Sequence, residues 1–121
     1  MNKKVLVVDD NDENRMLEKD LLDIAGFEVF EADNVADAIA LAIKEKPDII
    51  IMDVRLPDMR GTEAAGILRK NKETSTIPIV FVTASVMADG LEEVRKIPNS
   101  GFIGKPINTR TFVKEISRLL Q

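Results

Sequence analysis

The run Asp48-Ile49-Ile50-Ile51-Met52-Asp53-Val54-Arg55-Leu56-Pro57 constrains the fold more than any other stretch of this chain. Four consecutive apolar residues, three of them β-branched, predict a strand covered on both faces. The run ends on one carboxylate, Asp53, and Pro57 shortly afterwards stops the ladder. A charge at the point where a buried strand leaves the core is unfavourable unless something neutralises it. Another apolar run, Val5-Leu6-Val7-Val8, ends on Asp9 and Asp10. If the two strands are parallel neighbours, three carboxylates meet at one edge of a sheet, and such a cluster needs a cation.

The rest of the chain alternates between strand and helix patterns. Residues 4–8 read as a buried strand, followed by a helix capped by Asn11 or Asp12 and stopped by Gly26. Glu28–Glu31 reads as an edge strand, and Asp33-Asn34 caps an Ala-rich helix that Pro47 ends. After the central strand 48–52, Gly61-Thr62-Glu63 opens a helix to about Lys70. Residues 78–82 form a fourth strand ending on Thr83, and 86–97 a weaker helix interrupted by Gly90. Gly101–Gly104 is a short fifth strand leading into Lys105-Pro106. In the last helix Phe112, Val113, Ile116, Leu119 and Leu120 share one face. Five strands alternating with five helices predict an α/β doubly wound parallel sheet with helices on both faces, in which ligands bind beyond the carboxyl ends of the strands.

Composition removes several kinds of chemistry. The 121 residues, without repeat or linker, are expected to form one domain with a full hydrophobic core. There is no Cys and no His, so thiolates, His-based triads and His metal ligands are excluded. A net charge of −4 argues against nucleic acid as the main partner. No apolar run reaches membrane-spanning length, and MNKKVLVVDD lacks a signal-peptide pattern, so a cytoplasmic location is expected.

In a parallel sheet Asp9, Asp10, Asp53, Thr83 and Lys105 all fall at the same strand edge. Singly, each Asp is well explained as a cap or turn residue, Thr83 as a strand end and Lys105 as a solvated charge. Together they form a crevice with three carboxylates, one hydroxyl and one ammonium. Acidic oxygens without His or Cys specify a hard cation, and Mg²⁺ suits a site that also takes phosphate oxygens. A carboxylate beside that metal can attack phosphorus to give an aspartyl phosphate, with the ammonium and hydroxyl offsetting charge on the phosphoryl oxygens.

The segments VLVVDDN, IIIMDVRLPDMRG, PIVFVTAS and GFIGKPI together resemble the receiver domain of two-component response regulators, over essentially the whole chain. The resemblance implies a (βα)5 flavodoxin-like fold with strand order 2-1-3-4-5 over residues 1–121. It implies that Asp53 accepts a phosphoryl group from a histidine kinase or histidine phosphotransfer protein. Asp10, Asp53 and the backbone carbonyl of Arg55 would bind Mg²⁺ (or Mn²⁺ in its place), with Asp9 helping through water. Thr83 would hydrogen-bond the phosphoryl group, and Lys105, aimed inward by a cis bond to Pro106, would pair with it. Such a protein is not a turnover enzyme, although it promotes its own phosphorylation and dephosphorylation. Phe102 stands where the family often carries a switching Tyr, and Arg55 and Ser85 flank the path of the hydrolytic water.

Other classes fit less well. An aspartyl-nucleophile phosphohydrolase would carry a DxD loop and a cap domain, whereas Asp9 and Asp10 are adjacent and the chain is short. An FMN-binding flavodoxin needs a Ser/Thr/Gly-rich phosphate loop after the first strand, where this chain has Asp9-Asp10-Asn11-Asp12-Glu13. A receiver-like fold used only for interaction would not need every chemical residue. The chain ends with its last helix, so it is expected to be a stand-alone receiver acting by protein contact or a domain cut from a larger protein. By resemblance, its output face is built from the fourth helix, fifth strand and fifth helix, near Arg95, Lys96, Arg110, Lys114 and Arg118.

Overall fold

The apolar runs become three strands sealed from solvent. In a computed structural model, which describes residues 3–83 and 94–120, β1 (Lys4–Val8), β3 (Ile49–Asp53) and β4 (Ile79–Thr83) form the centre of a five-stranded sheet. The less apolar segments β2 (Glu28–Ala32) and β5 (Ser100–Gly104) take the edges, where half-exposed side chains are tolerated. All four pairings are parallel and the order is β2-β1-β3-β4-β5, as the family resemblance implies. Four helices lie among the described residues: α1 (Asp12–Ile24), α2 (Val35–Glu45), α3 (Gly61–Lys70) and α4 (Phe112–Leu119). Most of the helix expected over 86–97, with Ser85 and Gly90, falls at residues 84–93 and lies outside the described residues.

Strand alternation divides the core into two layers. Leu6, Val8, Ile50, Met52, Ile79 and Phe81 face α2 and α3, whose Ala38, Ala42, Ala64 and Ala65 let the helices settle close to the sheet. Val5, Val7, Ile49, Ile51, Val80 and Val82 face the other way, against Leu22 of α1 and Phe112 and Ile116 of α4. The expected apolar face of the last helix holds at Phe112 and Ile116, both fully buried, but Leu119 is 40 % exposed. Its methyl groups reach toward Gly101 at the edge of the sheet, where no further strand among the described residues covers them.

The caps follow the expected chemistry. The Asn11 side chain accepts the Asn14 N–H at 3.0 Å, and the Asn34 side chain accepts that of Asp37 at 2.9 Å. The first helix ends at Gly26, whose φ of 96° is open to glycine. One tie was not expected: the Asp58 carboxylate, from the loop after β3, accepts the Val35 and Ala36 N–H groups at 2.9 and 3.1 Å. It completes the N-terminus of α2 from across the sheet edge and anchors the loop that leaves Asp53.

Gly61 fixes the other end of that loop. Its N–H donates to the Val54 carbonyl at 2.7 Å, and a Cβ built there would collide with the backbone carbonyl of Asp53. Gly61→Ala is therefore expected to lower stability by about 2 kcal/mol or more, because backbone rather than a flexible side chain must move. Urea denaturation measures this, and a loss below about 0.5 kcal/mol would contradict the close approach.

Candidate functional site

Register brings the distant residues together. Val8 of β1 pairs with Met52 of β3, so Asp9 and Asp53, each one residue further on, emerge side by side. Asp53 pairs with Val82, which leaves Thr83 one step beyond it, and Thr83 pairs with Gly104, the residue before Lys105. The Lys105 N–H extends the ladder by donating to the Thr83 carbonyl at 2.8 Å. The Lys105–Pro106 peptide is cis, as the resemblance implies. The Lys105 ammonium then lies between two strand ends, donating to Asp53 Oδ2 at 2.7 Å and to Asp9 Oδ2 at 3.1 Å.

The remaining carboxylate oxygens are held by backbone. Asp9 Oδ1 accepts the Asn11 N–H and Asp53 Oδ1 accepts the Arg55 N–H, both at 2.9 Å. These short turns fix both carboxylates before any ligand arrives. Asp9 is buried, Asp53 half-buried and Asp10 exposed, and one carboxylate oxygen from each lies within 4.8 Å of the others. This donor set, all hard oxygen and open on one side through Asp10, fits a hard divalent cation that keeps part of its own hydration. Arg15 of α1 braces the edge, donating to the Asp9 carbonyl at 2.8 Å and pairing with Asp12 and Glu31.

Burial and charge act in opposite directions on these groups. Burial raises the Asp9 carboxyl above the ordinary carboxylate range, with the Asn11 N–H and the Lys105 ammonium pulling it back. Repulsion from Asp53 contributes least, so crowding of acids is not the main reason for the rise. Burial works against the charged Lys105, but the hydrogen bond and charge of Asp53, followed by those of Asp9, outweigh it and raise its pKa.

All five residues of the expected crevice therefore converge: Asp9, Asp10, Asp53, Thr83 and Lys105 share one rim. Thr83 is buried at the end of β4. Arg55 is exposed and bridges backbone to backbone with Arg60 across the loop. Phe102 is 45 % exposed on the outer edge strand, so a plain core position is ruled out for its ring. Ser85 lies outside the described residues.

One residue at the site went unnoticed in the sequence. Glu18 projects from the inner face of α1, four residues before the buried Leu22, and is 98 % buried with 2 % of its surface exposed. Desolvation, followed by repulsion from Asp9 and, more weakly, Asp53, pushes its carboxyl up to about 8, with Lys105 as the opposing influence. The signal was present: a Glu at an inward position of a helix whose next inward position is Leu22.

The chain is similar to known proteins in sequence and in structure. The profile described as "Response regulator receiver domain" matches residues 5–117. The chain is 35 % identical over 120 residues to the polar-differentiation response regulator DivK of Brucella anthropi, covering 99 % of this chain and 98 % of that protein. It is similar in structure to the chemotaxis response regulator CheY4 of Vibrio cholerae, with a TM-score of 0.91, 32 % identity and coverage of 98 % and 99 % of the two chains. A receiver domain of a Pseudomonas aeruginosa sensor histidine kinase, described with a magnesium ion coordinated in its active site cleft, shares the fold with a TM-score of 0.90 at 23 % identity, over 99 % of this chain and 98 % of that one.

The Glu18 carboxyl sets a pH dependence of stability. Its folded pKa of about 8 lies above the ordinary value of 4.5, so the folded chain keeps a proton that the unfolded chain has released. Its contribution is greatest below about pH 4.5, falls as pH rises toward 8 and is flat beyond that. Glu18→Gln is expected to be more stable than the parent at pH 8.5 by on the order of 3 kcal/mol, with the gap closing toward pH 5. Urea denaturation in EDTA at both pH values checks this; a gap that does not change with pH would contradict a carboxyl held protonated.

Proposed function

The chain belongs to the response regulator receiver domain family of two-component signalling, and from that premise we propose that Asp53 is its phosphoacceptor. The observation that carries the proposal is the Lys105 ammonium held between Asp53 and Asp9, from three strand ends that are far apart in sequence. Of the three acids Asp53 is the one aligned with the centre of the crevice, flanked by Lys105 on one side and the end of β4 on the other. Its carboxylate is the nucleophile. An Asp53 oxygen forms a bond to phosphorus while the P–N bond of a donor phosphohistidine breaks, its electron pair leaving on the imidazole nitrogen.

Asp10, Asp53 and the backbone carbonyl of Arg55 would hold Mg²⁺, or Mn²⁺ in its place, with Asp9 as a nearby acid. That ion would offset charge on the transferred oxygens. Lys105 moves from carboxylate to phosphoryl oxygen, keeping its charge because the acids around it hold its proton. Thr83 supplies a hydroxyl at the adjoining strand end. Arg55, exposed beside the acceptor, shields the phosphoryl group with its long side chain. Ser85 is assigned a tuning role toward the hydrolytic water, and Phe102 a change of ring position coupled to Thr83.

The phosphoryl donor is a histidine kinase or histidine phosphotransfer protein, and the downstream partner is a protein that reads the β5 and α4 side of the sheet. Exposed Arg95, Lys96, Arg110, Lys114 and Arg118 favour that face, together with a groove of about 630 Å³ that includes Phe102 and Leu119.

Incubation with Mg²⁺ and a small acyl phosphate, followed by intact mass and peptide mapping, tests the assignment. One phosphoryl group is expected on Asp53, and none after EDTA or in Asp53→Asn. Arg55→Ala is expected to lose the group several-fold faster. A chain that gains no mass, or gains it at another residue, would overturn the acceptor assignment.

A further inference from the structure

Glu18 is a buried acid in a place where an aliphatic side chain would be more favourable. It lies on the same inward stripe of α1 as Leu22, and burial lifts its carboxyl far from its ordinary range. Nothing in the chemistry assigned to Asp53, Asp9, Asp10 and Thr83 uses it. It is nevertheless part of the same neighbourhood. Glu18 and Lys105 line one small cavity of about 70 Å³ with Asn14, Leu17, Pro106 and Ile107, and the charges acting on Glu18 are those of Asp9, Lys105 and Asp53.

The Lys105 ammonium carries three N–H donors, and Asp53 and Asp9 accept two of them. Glu18, which lines the same cavity as Lys105, offers the ammonium a further acceptor. This matters once Asp53 is phosphorylated and Lys105 must turn to the phosphoryl oxygens. We propose that Glu18 is a positioning residue for Lys105, an alternative acceptor that competes with the phosphoryl group for the ammonium and so shortens the life of the aspartyl phosphate. The inference rests on Asp53 being the phosphoacceptor. A neutral carboxyl fills the role through its carbonyl oxygen and an ionised one fills it more strongly. In either form it draws the ammonium toward α1 and away from the strand edge.

The test uses the full chain loaded with phosphoryl group from a small acyl phosphate at saturating Mg²⁺, freed of donor and followed by intact mass. At pH 9, where the Glu18 carboxyl is ionised, Glu18→Gln is isosteric but a weaker acceptor, and Glu18→Leu removes the acceptor; both are expected to lengthen the half-life about threefold or more. Glu18→Asp, an acid set back by one methylene, is expected to fall between them and the parent. A structural role alone would change melting temperature and leave these half-lives alone. The ¹⁵N resonance of the Lys105 ammonium in the unphosphorylated protein gives a second readout, expected to move in Glu18→Gln and to return toward the parent position in Glu18→Asp. Failure of the parent to be phosphorylated while this resonance moves would sink the reading of Asp53 and leave the pairing standing. Half-lives within about twofold of the parent in both folded variants, or an unmoved resonance, overturn the role of Glu18.

Discussion

The Lys105 ammonium ties the end of β5 to the ends of β1 and β3 through Asp9 and Asp53. Asp9, almost wholly buried, and Asp53 would otherwise present two carboxylates at the mouth of an aliphatic core. Removing one partner from such an arrangement leaves an uncompensated buried charge, which is far worse than never having placed the pair. The ammonium therefore serves the fold before it serves any ligand. It also keeps the site in order, because each carboxylate has one oxygen on Lys105 and the other on a backbone N–H.

The loop after β3 shows how the surrounding structure supports that geometry. It must leave Asp53, turn and enter α3, and two contacts determine its path. Gly61 passes against the backbone of Asp53 and Val54 where no side chain fits, and Asp58 reaches over to the free N–H groups at the start of α2. Both contacts satisfy ordinary demands of helices and turns. Their joint effect is to hold the Arg55 N–H on Asp53, so that the orientation of this carboxylate depends on the capping of α2.

Much of this was readable from residue pattern alone, for identifiable reasons. Strands fully covered by helices need uninterrupted apolar runs, and Val5–Val8, Ile49–Met52 and Ile79–Val82 stand out against a charged background. Because every strand runs the same way, knowing which residue ends each run was enough to gather Asp9, Asp53, Thr83 and Lys105 at one edge. What could not be read was anything that depends on which way a side chain turns across elements. Asp58 resembles any loop carboxylate until α2 is placed beside it. Leu119 fits the apolar face of its helix, yet it sits at the edge of the sheet and stays 40 % exposed. Glu18 hid among the many acids of α1, since a helix with exposed Asp12, Glu13, Asp20 and Asp23 gives no reason to single out the one that turns inward.

Glu18 also shows where stability and signalling diverge. An aliphatic residue at that position would extend the packing of Leu22 and avoid the desolvation that lifts the carboxyl to about 8. Folding alone thus favours its loss, as it favours fewer acids at the strand edge. A short-lived signal has the opposite requirement: the phosphorylated state must not be held too firmly. Each acid near Lys105 competes for that ammonium, and Asp9, Asp10 and Asp53 also offer hard oxygens to a cation at the rim. On the proposed role of Asp53, this acidic neighbourhood would favour loading and loss of the phosphoryl group together, at the expense of the unligated fold.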